Sequence, residues 1–183
     1  MKTISGGVTA PKGFRAAGVY CGVKASHAGV PGTQGKPDLA MIVSDCECTA
    51  AATYTLNRVK AAPLYVTMGH LEDGVCRGIV ANSGNANACA PLSHENAEKM
   101  CELAAAATGL KPQDFAVAST GVIGQTLNIA AIQRGVPQVA EELSYEGSAA
   151  AAHAIMTTDT VKKEIAVTVT IGGKPVTVGA IAK

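Results

Sequence analysis

The stretch FAVASTGVIGQTL, Phe115 to Leu127, starts as a short apolar strand and breaks at Ser119-Thr120-Gly121-Val122-Ile123-Gly124, just ahead of a helical segment. Hydroxyls and glycines between a strand and a helix mark the joint from which α/β folds are assembled. Downstream, Asn128 to Leu143 has helical character interrupted at Gly135-Val136-Pro137. Proline removes a backbone donor there, so two short helices meeting at a kink are expected. A further helix is expected over Glu146 to Met156.

Upstream, Ala97, Met100, Cys101, Ala104 and Ala107 share one face of a helix that starts at Ser93, a predicted N-cap, and ends at Gly109. CRGIVANSG, Cys76 to Gly84, reads as a strand running into a loop, and KAAPLYVTMGHL as a helix beginning near Pro63. DLAMIVSD, Asp38 to Asp45, is a continuous apolar run, the pattern of a strand buried on both faces. The neighbouring AATYTL, Ala51 to Leu56, suits an adjoining strand. Phe14 to Val23 predicts another strand, followed by a loop through HAGVPGTQGKP. Near the end Ile165, Val167, Val169 and Ile171 alternate with polar or small residues, GGKP turns the chain, and Val176, Val178 and Ala180 alternate on the return, predicting a hairpin with one face buried. The expected fold class is α/β, with mixed sheets and flanking helices, residues 1–183 forming a single domain. The return strand stops at Lys183 without a polar tail, as though the chain continued in the intact protein, and its edge needs cover.

Composition narrows the function. Fifteen lysines and arginines against 14 acidic residues leave no global field for nucleic acid or a membrane surface, and 3% aromatics offer little stacking surface. No apolar run reaches the ~20 residues that span a bilayer. The start, MKTISGGVTAPKGFRAAG, has no signal-peptide core, which places the six cysteines in the reducing cytoplasm. They are poorly spaced as zinc ligands: Cys46 and Cys48 are two apart and no second pair completes a set, so no metal is expected.

Chemistry has three candidate places. At Ser119-Thr120-Gly121 a strand entering a turn exposes backbone N–H groups, and glycine admits a ligand close to them, the makings of a nest for a negative oxygen. The glycine spacing matches neither nucleotide-binding pattern. VANSGNANAC, Val80 to Cys89, carries three asparagines that favour turns, the alternative being a wall of a polar pocket. AIMTTDT, Ala154 to Thr160, reads as a capped helix end or as a hydroxyl cluster for a polar substrate. The four histidines (His27, His70, His94, His153) are scattered, and no nucleophile with its base is apparent.

Taken together and in this order, GGVTAPKGF, DLAMIVSD, AATYTLNRVKAAP, VANSGNANAC, ASTGVIG, AIMTTDT and the final GAIAK resemble the ornithine acetyltransferase (glutamate N-acetyltransferase) family of arginine biosynthesis, over essentially the whole chain. The resemblance implies a precursor that cuts itself before a threonine. That residue becomes the nucleophile at the start of a β chain, its own α-amine serving as base, which accounts for the lack of a histidine constellation here. This chain then matches the α subunit, interwoven with the β chain and assembled into a heterotetramer. Thr120 and Gly121 match the family's oxyanion hole, and Thr157 and Lys183 its substrate-binding positions. The implied reaction is ping-pong acetyl transfer from N-acetylornithine to glutamate, with no cofactor, although some members take acetyl-CoA as donor. Two other readings stay open: an amidohydrolase or aminopeptidase of similar architecture, and a non-catalytic domain whose turn at Thr120 holds an anion. A paralogue in secondary metabolism with another acceptor would share the same chemistry.

Overall fold

The structure, a computed structural model, describes residues 1–26 and 35–183; most of the predicted loop HAGVPGTQGKP, with His27, lies outside these residues. Two sheets are built from β1 (Lys2–Ile4), β2 (Phe14–Val19), β3 (Leu39–Thr49), β4 (Val75–Asn85), β5 (Phe115–Val122), β6 (Lys163–Ile171) and β7 (Lys174–Ala182). Four α-helices, α1 (Ala62–His70), α2 (Ser93–Thr108), α3 (Ile129–Glu141) and α4 (Ser148–Ala154), and two short 3-10 turns, Lys24–Ser26 and Pro112–Asp114, complete the described elements. The larger sheet runs β2-β3-β4-β5 and the smaller one β1-β6-β7. β4 and β5 are parallel, whereas the other pairs are antiparallel. A parallel pair needs a crossover connection, which α2 supplies.

β3 is buried along most of its apolar run, and its alternating residues serve different cores. Leu39, Met41 and Val43 point to one side, where they meet Val80, Phe115, Val117 and the apolar stripes of α1, α2 and α3. Ala40 points to the other, where Ala16 and Ala81 meet Ala151 and Ala154 of α4, with Ile42, Ile155 and Ile181 at the margin. The sheet therefore has a face of large residues under three helices and a face of alanines under α4 and the hairpin. Asp38, which precedes β3, is fully buried and accepts backbone N–H bonds from Cys21, Gly22 and Lys24, fixing the exit of β2.

Several local expectations give way. AATYTL forms no strand: β3 already pairs with β2 and β4, and Leu56 is 99% exposed. Local bonds replace a ladder there, with Thr55 accepting from the Asn57 N–H and Asn57 from the Val59 N–H. α3 runs unbroken through Pro137. Pro137 and Gln133, whose carbonyl loses its donor, both face solvent, so water can serve that carbonyl. Gly135 marks a contact instead of a kink; a Cβ there would lie 2.3 Å from Cys21 Cβ. Ser93 is the first residue of α2, and Leu92, in the left-handed region at φ 60°, occupies the cap position. Gly109 closes α2 at φ 73° as expected.

The β6–β7 hairpin turns through Gly172 and Gly173, both at positive φ, and packs by its small-residue side. Ala166 is buried, and Gly179 lies so close to Gly7 that a Cβ would meet the Gly7 carbonyl. The face expected inside is outward: Ile165, Ile171 and Val178 are each at least half exposed. Close approach of Gly7 leaves no room for a side chain at Gly179.

Phe115 anchors the larger core. It is fully buried, and its ring occupies the space where a Cβ on Gly78 would be. Phe115→Ala is expected to lower unfolding free energy by ~3–5 kcal/mol, read as a fall in the denaturant midpoint with unchanged slope.

Candidate functional site

The carboxyl ends of β4 and β5 converge at two glycines. Ser83, Gly84 and Asn85 of β4 stand opposite Thr120, Gly121 and Val122 of β5, and the ladder becomes irregular at Asn85, which pairs with both Thr120 and Val122. Gly121 has φ 139°, and a Cβ on it would lie 2.2 Å from the Gly84 carbonyl carbon. No residue with a side chain fits there. Gly84, at φ 105°, has the same limit, because a Cβ would meet Lys24. The predicted strand-end turn is thus displaced: Thr120 and Gly121 lie within β5, at the open edge of the larger sheet.

Three asparagines support this end, and they are buried instead of forming a surface turn. Ser119 Oγ donates to Asn82 Oδ1 at 2.6 Å, and Asn82 Nδ2 donates to the Asn85 carbonyl at 2.9 Å. Asn85 Nδ2 donates to the Gln125 carbonyl, and its Oδ1 accepts the Asn87 N–H. Asn82, Asn85 and Asn87 are each at most 1% exposed, so every such bond replaces one lost to water.

A cavity of about 360 Å³ opens beside them. It is lined by Ala40, Ala81 and Ala118 from the alanine face of the larger sheet and by Ile155 and Ile181, and its polar lining is Asn82, Ser119, Thr120 and Lys183. Small floor residues create the space; larger ones would fill it. Thr120 and Lys183, 63 residues apart by number, thus share one cavity. Gly121 follows Thr120 at its margin. Thr157 lies in the turn after α4, and its N–H is accepted by Asp159 Oδ2 at 3.2 Å, the same oxygen that Lys183 Nζ approaches at 3.0 Å. Asp159 also takes Lys163 Nζ at 2.5 Å on its other oxygen. These hydrogen bonds, from Lys163 first, then Lys183 and the Thr157 N–H, hold the Asp159 carboxyl well below the usual carboxylate range.

None of the described histidines lines this cavity. His70 Nε2 and His94 Nε2 both lie near Glu98, at 3.5 and 3.6 Å, on the helical side of the larger sheet. The described cysteines are unpaired, and burial, aided for Cys21 by the Asp38 carboxylate and for Cys101 by Glu98, pushes both thiols up to about 12. Among the described residues no group of three ligating side chains is placed to hold a metal, and no helix is long and apolar enough to cross a membrane.

The family model described as the ArgJ family matches residues 15–183. The chain belongs to the ArgJ family. A relative named arginine biosynthesis bifunctional protein ArgJ, from Symbiobacterium thermophilum, is 48% identical over the full chain, and one from Nostoc sp. is 44% identical over 98% of it. The chain spans 44% and 42% of these relatives' own lengths. Among solved structures, a chain of the arginine biosynthesis bifunctional protein ArgJ of Bacillus halodurans superposes with a TM-score of 0.87 at 38% identity, the match covering 98% of this chain and 91% of that one. A chain of the Mycobacterium tuberculosis ornithine acetyltransferase, solved with ornithine, gives 0.83 at 40% identity, over 96% and 90%. The α/β class and mixed sheets expected from the motifs are those of this ArgJ fold.

Asn82, Ser119 and Asp159 stand in or beside the site and lie within the three stretches singled out from the sequence, although none of them was assigned a role of its own there. For Asn82 the signal was the asparagine cluster, misread because turns and buried amides use the same residue. For Asp159 it was the acid inside AIMTTDT. Gly121→Ala tests the close approach directly: at that φ, with backbone in the way, it should cost ~2–4 kcal/mol of stability, measured by thermal or denaturant unfolding of the full-length protein, whereas Gly124→Ala, at φ 81° in open space, should cost less.

Proposed function

We propose that this chain is the α portion of a self-processed acetyltransferase that moves the acetyl group of N-acetylornithine to glutamate, giving ornithine and N-acetylglutamate in cytoplasmic arginine biosynthesis. The observation that carries the proposal is the meeting of Thr120 and Lys183 in one cavity, with Thr157 tied to it, in a chain of the ArgJ family. The name of the Mycobacterium tuberculosis relative and its complex with ornithine support the substrate class.

The nucleophile belongs to the remainder of the precursor, which the length of the relatives leaves room for. A threonine at the start of that β chain attacks the acetyl carbonyl, its hydroxyl proton passing to its own α-amine. The carbonyl oxygen becomes an anion, met by the Thr120 hydroxyl and the Gly121 N–H. The C–N bond then breaks, the ornithine nitrogen takes the proton, and an acetyl-threonine ester remains. The glutamate amine attacks that ester, and the threonine hydroxyl is restored. Lys183 offers a point charge to the α-carboxylate common to both amino acids, with Thr157 beside it. No cofactor is required, and acetyl-CoA is a second possible donor to the same threonine. The β chain covers the hairpin edge, and αβ units assemble further.

Intact-mass analysis of the full-length product should find two polypeptides, the second beginning with threonine. N-acetylornithine alone should release about one equivalent of ornithine per site, and glutamate should restore turnover; equal turnover into water would identify an amidohydrolase instead. Thr120→Ala should lower kcat ~10²–10³-fold while KM changes little, because the donor acts on charge that develops in the transition state. A raised KM with unchanged kcat would remove Thr120 from the oxyanion hole.

A further inference from the structure

We propose that Asp159 is a positioning residue that seats Lys183 beside the Thr157 turn and thereby sets the charge that meets the substrate carboxylate. The inference rests on the substrate-binding reading of Lys183 and adds to it the group that makes this lysine usable.

Lys183 follows the last strand, on a four-carbon stem with rotatable donors, and such a side chain has no fixed direction of its own. Asp159 gives it one. The carboxylate comes from the turn after α4, 24 residues away in sequence, and a single oxygen, Oδ2, receives both the Thr157 N–H and the Lys183 ammonium. The two predicted substrate positions are therefore joined through one atom. The side chain of Asp159 is 11% exposed and that of Lys183 23%, so their pair is more sheltered than the Lys163 contact, whose lysine is 49% exposed. A contact nearer water is more strongly screened.

Charge balance favours the same role. Two lysines on one carboxylate leave a net positive charge of one, so an incoming carboxylate still meets attraction although Lys183 is already paired. Asp159 thereby holds Lys183 in place without cancelling the positive charge of the cluster. Ile155 and Ile181, which line the cavity, lie just before the turn and two residues before the lysine, so the ion pair ties together the two chain segments that carry them.

The test is a double-mutant cycle in the processed, full-length enzyme, with KM and kcat measured for N-acetylornithine and glutamate. Lys183→Ala should raise both KM values about ten-fold or more. Asp159→Ala should raise them about three- to five-fold with kcat little changed. Asp159→Asn, which keeps an acceptor for the Thr157 N–H but removes the charge, should move KM the same way, and decides the matter if the alanine variant fails to fold. In the Lys183→Ala background either Asp159 variant should have no further effect. If Lys183→Ala raises KM but the Asp159 effect is undiminished in that background, or KM does not respond to Asp159 at all, this inference is overturned while the reading of Lys183 stands. If Lys183→Ala leaves KM unchanged, both fall.

Discussion

The backbone contact between Gly84 and Gly121 constrains everything around it. Two parallel strands end side by side with no Cβ between them, and the chain on each side must be held in a conformation that side-chain-bearing residues rarely adopt. Such a contact persists only if its surroundings over-determine it. The buried asparagines do this. Asn82 and Asn85 bond to main-chain carbonyls within and beyond β4, and Ser119 locks Asn82 from the neighbouring strand, so the register at Thr120 is set from both sides. A half-satisfied network of this kind would be worse than an apolar one. Here the amides of Asn82 and Asn85 are engaged at both ends.

The two faces of the larger sheet then divide the labour. Large side chains and three helices supply most of the apolar burial on one side, and the alanine side leaves a volume that is not packed shut. A protein interior normally closes such space. The cavity survives because its floor is made of Ala40, Ala81 and Ala118, while α4 touches β2 so closely that a Cβ on Gly18 would strike the Ala150 carbonyl. The helix is pinned against one end of the sheet, and the cavity opens at the other.

Much of this was legible in the residues and some was not, for reasons that are physical. DLAMIVSD and FAVAST declare themselves because burial on both faces leaves an uninterrupted apolar run, and Gly109 because a left-handed cap admits few alternatives. AATYTL misleads because β propensity describes a fit to a neighbouring strand, and both neighbours of β3 were taken. Pro137 misleads because its effect depends on which side of the helix it faces. The hairpin misleads in its direction: alternation locates the apolar face but not what lies against it, and here Gly7 and Gly179 bring the small-residue side inward. Asn82 and Asn85 illustrate the hardest case, since a buried amide network depends on partners such as Ser119 and Gln125, 37 and 40 residues distant, that no local pattern reveals.

The polar lining of the cavity is carried by different sheets. Thr120 belongs to the larger sheet and Lys183 follows the smaller one, so the distance between the proposed oxyanion donor and the proposed carboxylate partner is a distance between sheets. The segment from Ala154 to Asp159 bridges them: Ser83 Oγ in β4 donates to the Ala154 carbonyl, and Asp159 holds Lys183 after β7. Both ties are polar and both lie in one six-residue segment, so a short stretch of chain links the two sheets. A spacing fixed in this way suits the small acylated amino acid proposed as substrate, and the two lysines on Asp159 give a chain with almost no net charge one localised positive cluster.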